Sequence, residues 1–329
     1  MNRRGVGSCG HAEVRTALRV VIVGAVMWFV VQAVSGHWDA VRASAAAIRP
    51  DWFGVFGASI LVIAGYAVLI AAWRRLLEIW GSPLPLTDAT RIWFVSSLGK
   101  YIPGKLWSIG AMAVLAKDAG ASPLAATGSA IIMQLVNIAA GFVVVAAAGA
   151  GDFLDTYPGL RLGAVVAIVL CVLGLIAGPQ LLVWTVRHAT RLFRRPMPEV
   201  PPITRVALLF IFGANVLAWI AYGAAFGLFW TAILGRGGGI SLAALAVYTA
   251  SYLLGFLALV VPGGLGVRES ALIGLLVALR LATPSDAALL AASSRIWLTV
   301  LEILPGLAFL PGVSLRRRTP KTTPDGPAA

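Results

Sequence analysis

The sequence predicts an all-α polytopic membrane protein with about six full spans and two re-entrant broken hairpins, arranged as two inverted-topology repeats. Three observations carry this. Of 329 residues, 59% are hydrophobic and 12% charged, and the mean hydropathy is +0.90, which excludes a soluble globule and a disordered chain alike. Six apolar stretches are long enough to cross a hydrocarbon core of about 30 Å as helices. Two further apolar stretches, SSLGKYIPGKLW (Ser96 to Trp107) and LVVPGGLGVRES (Leu259 to Ser270), are broken by Pro and Gly and carry charge beside the break.

Residues 1–16 read as a basic cytoplasmic tail. The first half, 17–150, holds spans over 17–36, 52–73 and 123–149. Its first apolar stretch, Ala17 to Ser35, is long for the core of a cleaved export signal, and nothing after it reads as a mature soluble domain, so it is expected to be a retained span. Between the second and third spans lies a broken hairpin over 88–117. Each of its limbs has about 14 residues and reaches only about 20 Å at 1.5 Å per residue, so neither can cross. The hairpin is expected to enter from the cytoplasm and turn at Pro103 and Gly104 near mid-membrane. The second half, 161–312, repeats the plan with spans over 161–184, 206–234 and 286–312. Its hairpin, 241–281, breaks at Pro262, Gly263 and Gly264 and would enter from the outside. The first limb here is long enough to span, so re-entry and a double crossing both stay open. Residues 313–329 are expected to form a disordered cytoplasmic tail.

Pro103 and Pro262 stand 159 residues apart, and ASPLAATGSAIIMQ (Ala121 to Gln134) aligns with ATPSDAALLAASSR (Ala282 to Arg295) at an offset of 161. Pro123 and Pro284 then fall in the first turn of equivalent helices, where proline is tolerated. Three crossings per half is an odd number, so the second copy is inverted, as in many transporters built from discontinuous helices. The alternative is that chains rich in Ala, Leu and Gly align with one another easily.

The formal charge of +13 is gathered at loops rather than on one basic face, so no nucleic-acid partner is expected. Arg3, Arg4, Arg15 and Arg19 precede the first span, Arg74 and Arg75 follow the second, five arginines lie between Arg187 and Arg205, and Arg316 to Arg318 follow the last. This positive-inside pattern puts both termini in the cytoplasm. An added role in binding anionic lipid is the alternative.

A Lys or Arg near the bilayer centre costs roughly 2.5 to 3.5 kcal/mol on insertion scales, so charge beside a break marks a site for a polar or charged substrate. Lys100 and Lys105 flank the first turn and offer ammonium groups to a phosphate, beside the N-terminus of the half-helix after Pro103. In the bland reading both lysines snorkel to the interface. Arg268 and Glu269 are adjacent and point about 100° apart on a helix, so each needs a partner elsewhere. Arg295 and Glu302 share a face of the last span. An ion-pair network among these four serves either as a structural lock or as a site, the arginines holding an anionic headgroup and Glu269 or Glu302 balancing charge or coupling to protons. Gln134, the repeat partner of Arg295, and Asn137 either glue helices together or touch substrate. The glycines Gly99, Gly104, Gly263, Gly264 and Gly266 serve turns and close helix approach.

Enzyme constellations are weak. His11, His37 and His188 lie far apart, Cys9 and Cys171 have no metal-ligand company, and there is no GxxxxGK[ST] loop. No metal, no cofactor and no catalytic residue is expected.

At SSLGKYIPGKLW, PGGLGVRES and the segment bearing Arg295 and Glu302, the chain resembles the lysylphosphatidylglycerol synthase transmembrane region family, also called the flippase-like domain family. The likeness covers about residues 15 to 315. It implies a polytopic domain of the bacterial inner membrane which, in multidomain members, translocates an aminoacylated phospholipid made by a fused cytosolic synthase. The chain stops at Ala329, so aminoacyl transfer is not expected. The resulting expectation is a non-catalytic lipid flippase with Lys100, Lys105, Arg268, Arg295 and Gln134 lining a midplane cavity for a membrane lipid, its headgroup phosphate-bearing. The alternatives are a membrane enzyme or assembly factor for lipid-linked sugars, or a scaffold for a separately encoded synthase or glycosyltransferase.

Overall fold

Five helices begin where the sequence supplies an oxygen to cap them. Asp51 accepts from the Phe53 amide, Ser122 from Ala125, Thr204 from Ala207, Ser241 from Ala244 and Thr283 from Asp286, so each cap answers an N–H that the first helical turn leaves unpaired. Pro123 and Pro284 follow two of these caps in the first turn, as the aligned segments predict. The computed structural model describes residues 49–101, 106–149, 203–258 and 264–310, with isolated helical positions between 165 and 184. The expected span 17–36, most of 161–184, both tails, and the turn residues Pro103, Gly104, Lys105, Pro262 and Gly263 lie outside the described residues.

The described chain is all helix and turn. In order it runs α1 (Trp52–Ile79), α2 (Leu86–Ser97), a 3₁₀ turn (Leu98–Tyr101), α3 (Leu106–Asp118), α4 (Pro123–Ala148), α5 (Arg205–Leu234), α6 (Leu242–Leu257), α7 (Val267–Ala278) and α8 (Pro284–Phe309). Four helices, Trp52–Ile79, Leu124–Ala148, Arg205–Leu234 and Pro284–Phe309, are long and apolar enough to cross a membrane. They match four of the six expected spans, the first extended past Arg74 and Arg75. Their outward stripes are apolar: Trp52, Phe53, Phe56, Ile60 and Ile63 follow one another along an exposed face of α1, the reverse of a soluble helix and the arrangement lipid requires.

Two of the short helices, α2 and α6, end just ahead of the prolines of the two breaks. A proline ring collides with the carbonyl four residues earlier, which for Pro262 is Ala258 and for Pro103 is Gly99. Ala258 has left helical geometry, with φ −68° and ψ 80°, and the chain at Gly99 has tightened into the 3₁₀ turn. The first limb of the second hairpin is therefore shorter than expected. As a helix α6 holds 16 residues, about 24 Å at 1.5 Å per residue, short of a full hydrocarbon core of about 30 Å.

The order long, short, short, long occurs twice, and the packing is reciprocal. In the first set α2 packs on α3 and α3 on α4; in the second α6 packs on α7 and α7 on α8. Each set lends its first short helix to the other's last long helix, with α2 against α8 and α6 against α4, while α1 and α5 lie side by side. The hydrophobic core accordingly forms two clusters, one centred on Trp73, Leu76, Leu77 and Ile92, the other on Trp219, Phe226, Leu272 and Leu290.

Two glycines let short helices approach closely enough to place side chains inward. A Cβ on Gly255 would lie 2.7 Å from Arg268 Cβ and 3.2 Å from its Cα, so α6 and α7 cross where only hydrogen fits. A Cβ on Gly306 would lie 2.9 Å from the Leu98 side chain, which seats the 3₁₀ turn on α8. Gly255→Ala is expected to lower stability by about 1 to 3 kcal/mol by forcing these helices apart, whereas Gly57→Ala, with open space at its Cβ, should show no loss. Thermal unfolding of both variants in detergent checks the contrast.

Candidate functional site

The four long helices each contribute residues near their midpoints to a common cavity of about 430 Å³. Tyr66 comes from α1, Gln134 from α4, Trp219 and Tyr222 from α5, and Arg295 and Glu302 from α8. Between them enter Lys100 from the 3₁₀ turn, Tyr248 and Tyr252 from α6, and Arg268 from α7. The cavity thus lies about halfway along every long helix.

Its charges are paired across elements. Glu302 is held by both oxygens: Oε1 accepts from the Tyr66 hydroxyl at 2.8 Å, and Oε2 pairs with Lys100 Nζ. On the other wall Arg295 Nη1 lies 3.5 Å from Glu269 Oε1. The second oxygen of Glu269 accepts the Gly266 N–H at 2.7 Å, so this carboxylate also caps the first turn of α7. Arg268, only 6% exposed, lies across aromatic faces, its guanidinium carbon 5.5 Å from the Tyr248 ring centre and 5.3 Å from that of Tyr252. Cation–π attraction of this kind strengthens where water is excluded.

The expected network of Arg268, Glu269, Arg295 and Glu302 therefore divides. Adjacent residues on α7 diverge, so Arg268 reaches the cavity while Glu269 turns to α8 and to its own helix end. Glu302, two turns below Arg295 on α8, meets Lys100 from the other half of the chain. Of the expected substrate-binding residues, Lys100, Arg268, Arg295 and Gln134 all line the cavity; Lys105 lies outside the described residues. Gln134 and Arg295, partners at the 161-residue offset, reach it from equivalent helices. Asn137 acts as glue: its Nδ2 donates to Asn215 Oδ1 at 3.0 Å, and its backbone carbonyl accepts from Trp219 Nε1 at 2.9 Å, fastening α4 to α5. Gly264, with φ +66° and its Cβ position 2.5 Å from the Gly255 carbonyl oxygen, serves the turn before α7.

Sequence reasoning missed the aromatic wall. Tyr66, Tyr222, Tyr248, Tyr252 and Trp219 form a chain of rings with centres 5.3 to 6.3 Å apart. The signal was present: Tyr and Trp favour the two membrane interfaces, where the polar tip is wet, whereas Tyr66, Trp219 and Tyr222 fall in the middles of spans. An aromatic hydroxyl at that depth needs a partner inside the protein.

The family described as lysylphosphatidylglycerol synthase TM region matches residues 16–306, and the chain belongs to it. It is a multi-pass membrane protein of a family with a lipid-related function, and the matched region contains both Pro–Gly breaks and every cavity residue named above. No curated protein matches the chain.

The pairing of Lys100 with Glu302 is open to a double-mutant cycle. Lys100→Met removes the cation paired with Glu302 Oε2 and should destabilise the protein more than Lys100→Met combined with Glu302→Gln, with a coupling of about 1 kcal/mol or more. Additive losses in the unfolding midpoints would mean that the pair contributes nothing.

Proposed function

We propose that this member of the lysylphosphatidylglycerol synthase TM region family is a lipid flippase. It moves a phospholipid or lipid-linked headgroup across the bacterial inner membrane, the headgroup passing through the cavity and the acyl chains staying in the bilayer. The observation that carries the reading is the cavity itself: among the described residues three cations and four tyrosines line it near the middle of the long helices, in a volume suited to a small polar group. An anion entering there exchanges water for guanidinium, ammonium and hydroxyl donors, which lowers the barrier that hydrocarbon alone presents.

In this reading α2 with α3 and α6 with α7 are re-entrant hairpins that enter from opposite sides. The two sets are inverted repeats, and both termini are cytoplasmic. The reciprocal exchange of short helices supports a two-fold relation, and the lengths of α2, α3, α6 and α7, at 12 to 16 residues, support re-entry. Movement of one set against the other would open the cavity to each side in turn. The protein performs no covalent chemistry, and its partner is the lipid.

Purified protein in liposomes, with headgroup-labelled anionic, zwitterionic and aminoacylated lipids, tests this. Wild type is expected to move one class, and Arg268→Ala, folded by circular dichroism, to lose at least about tenfold of that rate, since a charge-assisted contact is worth about 1.5 to 3 kcal/mol. If no class moves, the flippase reading fails, and a role in lipid-linked sugar assembly or as a scaffold for a separate synthase takes its place.

A further inference from the structure

Of the three cations that the described residues place in the cavity wall, two are already matched. Lys100 is paired with Glu302, and Arg295 faces Glu269. Arg268 instead lies on the rings of Tyr248 and Tyr252, and its Nη2 is buried without a hydrogen-bond partner among the described residues. The hydroxyl of Tyr222, in the same wall, is likewise buried and unpartnered. Polar groups in a water-poor interior are nearly always satisfied, so two in one cavity point to something that bonds with both. The tyrosine faces hold the guanidinium by π attraction and use none of its N–H donors, which leaves Nη2 for an oxyanion.

Charge then limits what that oxyanion is. Lys100, Arg268 and Arg295 against Glu302 and Glu269 leave one net positive charge among the described residues of the site. We infer that Arg268 and Tyr222 form the seat of a singly charged phosphodiester, while Lys100 and Arg295 neutralise Glu302 and Glu269 rather than bind the anion. This deepens the translocation reading of the same cavity and rests on it. A diphosphate brings more negative charge than the seat answers, and the excess would be held in a largely apolar, aromatic enclosure at a high desolvation cost.

Quenching of intrinsic tryptophan fluorescence, to which Trp219 beside the Tyr252 ring contributes, can be titrated on the full chain in maltoside micelles. The probes are dihexanoyl phosphatidylglycerol, its deacylated diester glycerophosphoglycerol, and farnesyl diphosphate. The phosphatidylglycerol probe is expected to bind about tenfold tighter than the diphosphate. Arg268→Gln should weaken it about tenfold or more, and Tyr222→Phe, which removes a hydroxyl with no hydrogen-bond partner among the described residues, about threefold to tenfold. Glu302→Gln keeps an acceptor for Tyr66 but removes the negative charge paired with Lys100, and is expected to shift the preference toward the diphosphate.

Glycerophosphoglycerol binding with the same dependence on Arg268 would uphold the seat with a soluble source of the diester. Binding of the acylated probe alone would uphold it with lipid as the source. A wild type that prefers the diphosphate, or a Tyr222→Phe variant that binds phosphatidylglycerol unchanged, would overturn the inference. Binding with the expected dependence but no lipid movement in liposomes would retain the seat and discard translocation. Movement indifferent to both Arg268→Gln and Tyr222→Phe would do the reverse.

Discussion

Glu302 sits between Lys100, carried on the turn that follows the first broken helix, and Tyr66, from the middle of α1. A carboxylate well inside a helix long and apolar enough to cross a membrane is tolerable only if its charge is answered inside the protein, and the answer comes from more than two hundred residues away. This one contact ties the first set of helices to the last span of the second. It requires α8 to approach the 3₁₀ turn closely, which Gly306 allows, and it requires a chain break at that depth, which Pro103 enforces through the carbonyl of Gly99. The second set repeats the solution with a different pairing. Pro262 ends α6 at Leu257, Gly255 lets α7 cross, and Glu269 uses one oxygen to cap α7 and presents the other to Arg295.

The consequence is a cavity whose polarity is built from the protein's own cross-links. Lys100 and Arg295 are positioned by carboxylates; Arg268 is positioned by rings. That difference separates holding the halves together from receiving a ligand. Truncating a matched cation leaves the charge of a buried carboxylate without its counter-charge, so such a variant reports on folding first. Removing Tyr222 Oη or changing Arg268 acts on cavity-lining side chains that each hold a buried polar atom without a hydrogen-bond partner among the described residues.

Much of this was legible in the sequence, because bilayer constraints are severe. Four described spans begin at or near the expected residues, and Pro123 and Pro284 open equivalent helices because a long apolar run has few other signals for a start. Lys100, Arg268, Arg295 and Glu302 were found by their cost: charge in hydrocarbon stands out in a way that charge on a soluble surface does not. What could not be read was who pairs with whom. Glu302 meets Lys100 through a crossing of α8 with α2 that no local spacing encodes. The length of α6 was overestimated because apolar residues continue past Leu257, although the proline's effect is felt four residues before it. The aromatic wall was overlooked because tyrosine and tryptophan are so common at membrane interfaces that their depth, rather than their presence, carries the information.

The central claim is that this cavity lies within the membrane and is reached from its two sides in turn. Gln134, in the wall at the middle of α4, offers the most direct probe, as Gln134→Cys in a background with Cys9 and Cys171 replaced by serine. Labelling with a membrane-impermeant maleimide, compared between right-side-out and inside-out vesicles, is expected in both orientations and to be slowed by the transported lipid class. Labelling from one side only, or equal labelling of a protein locked by a cross-link between α2 and α8, would contradict alternating access.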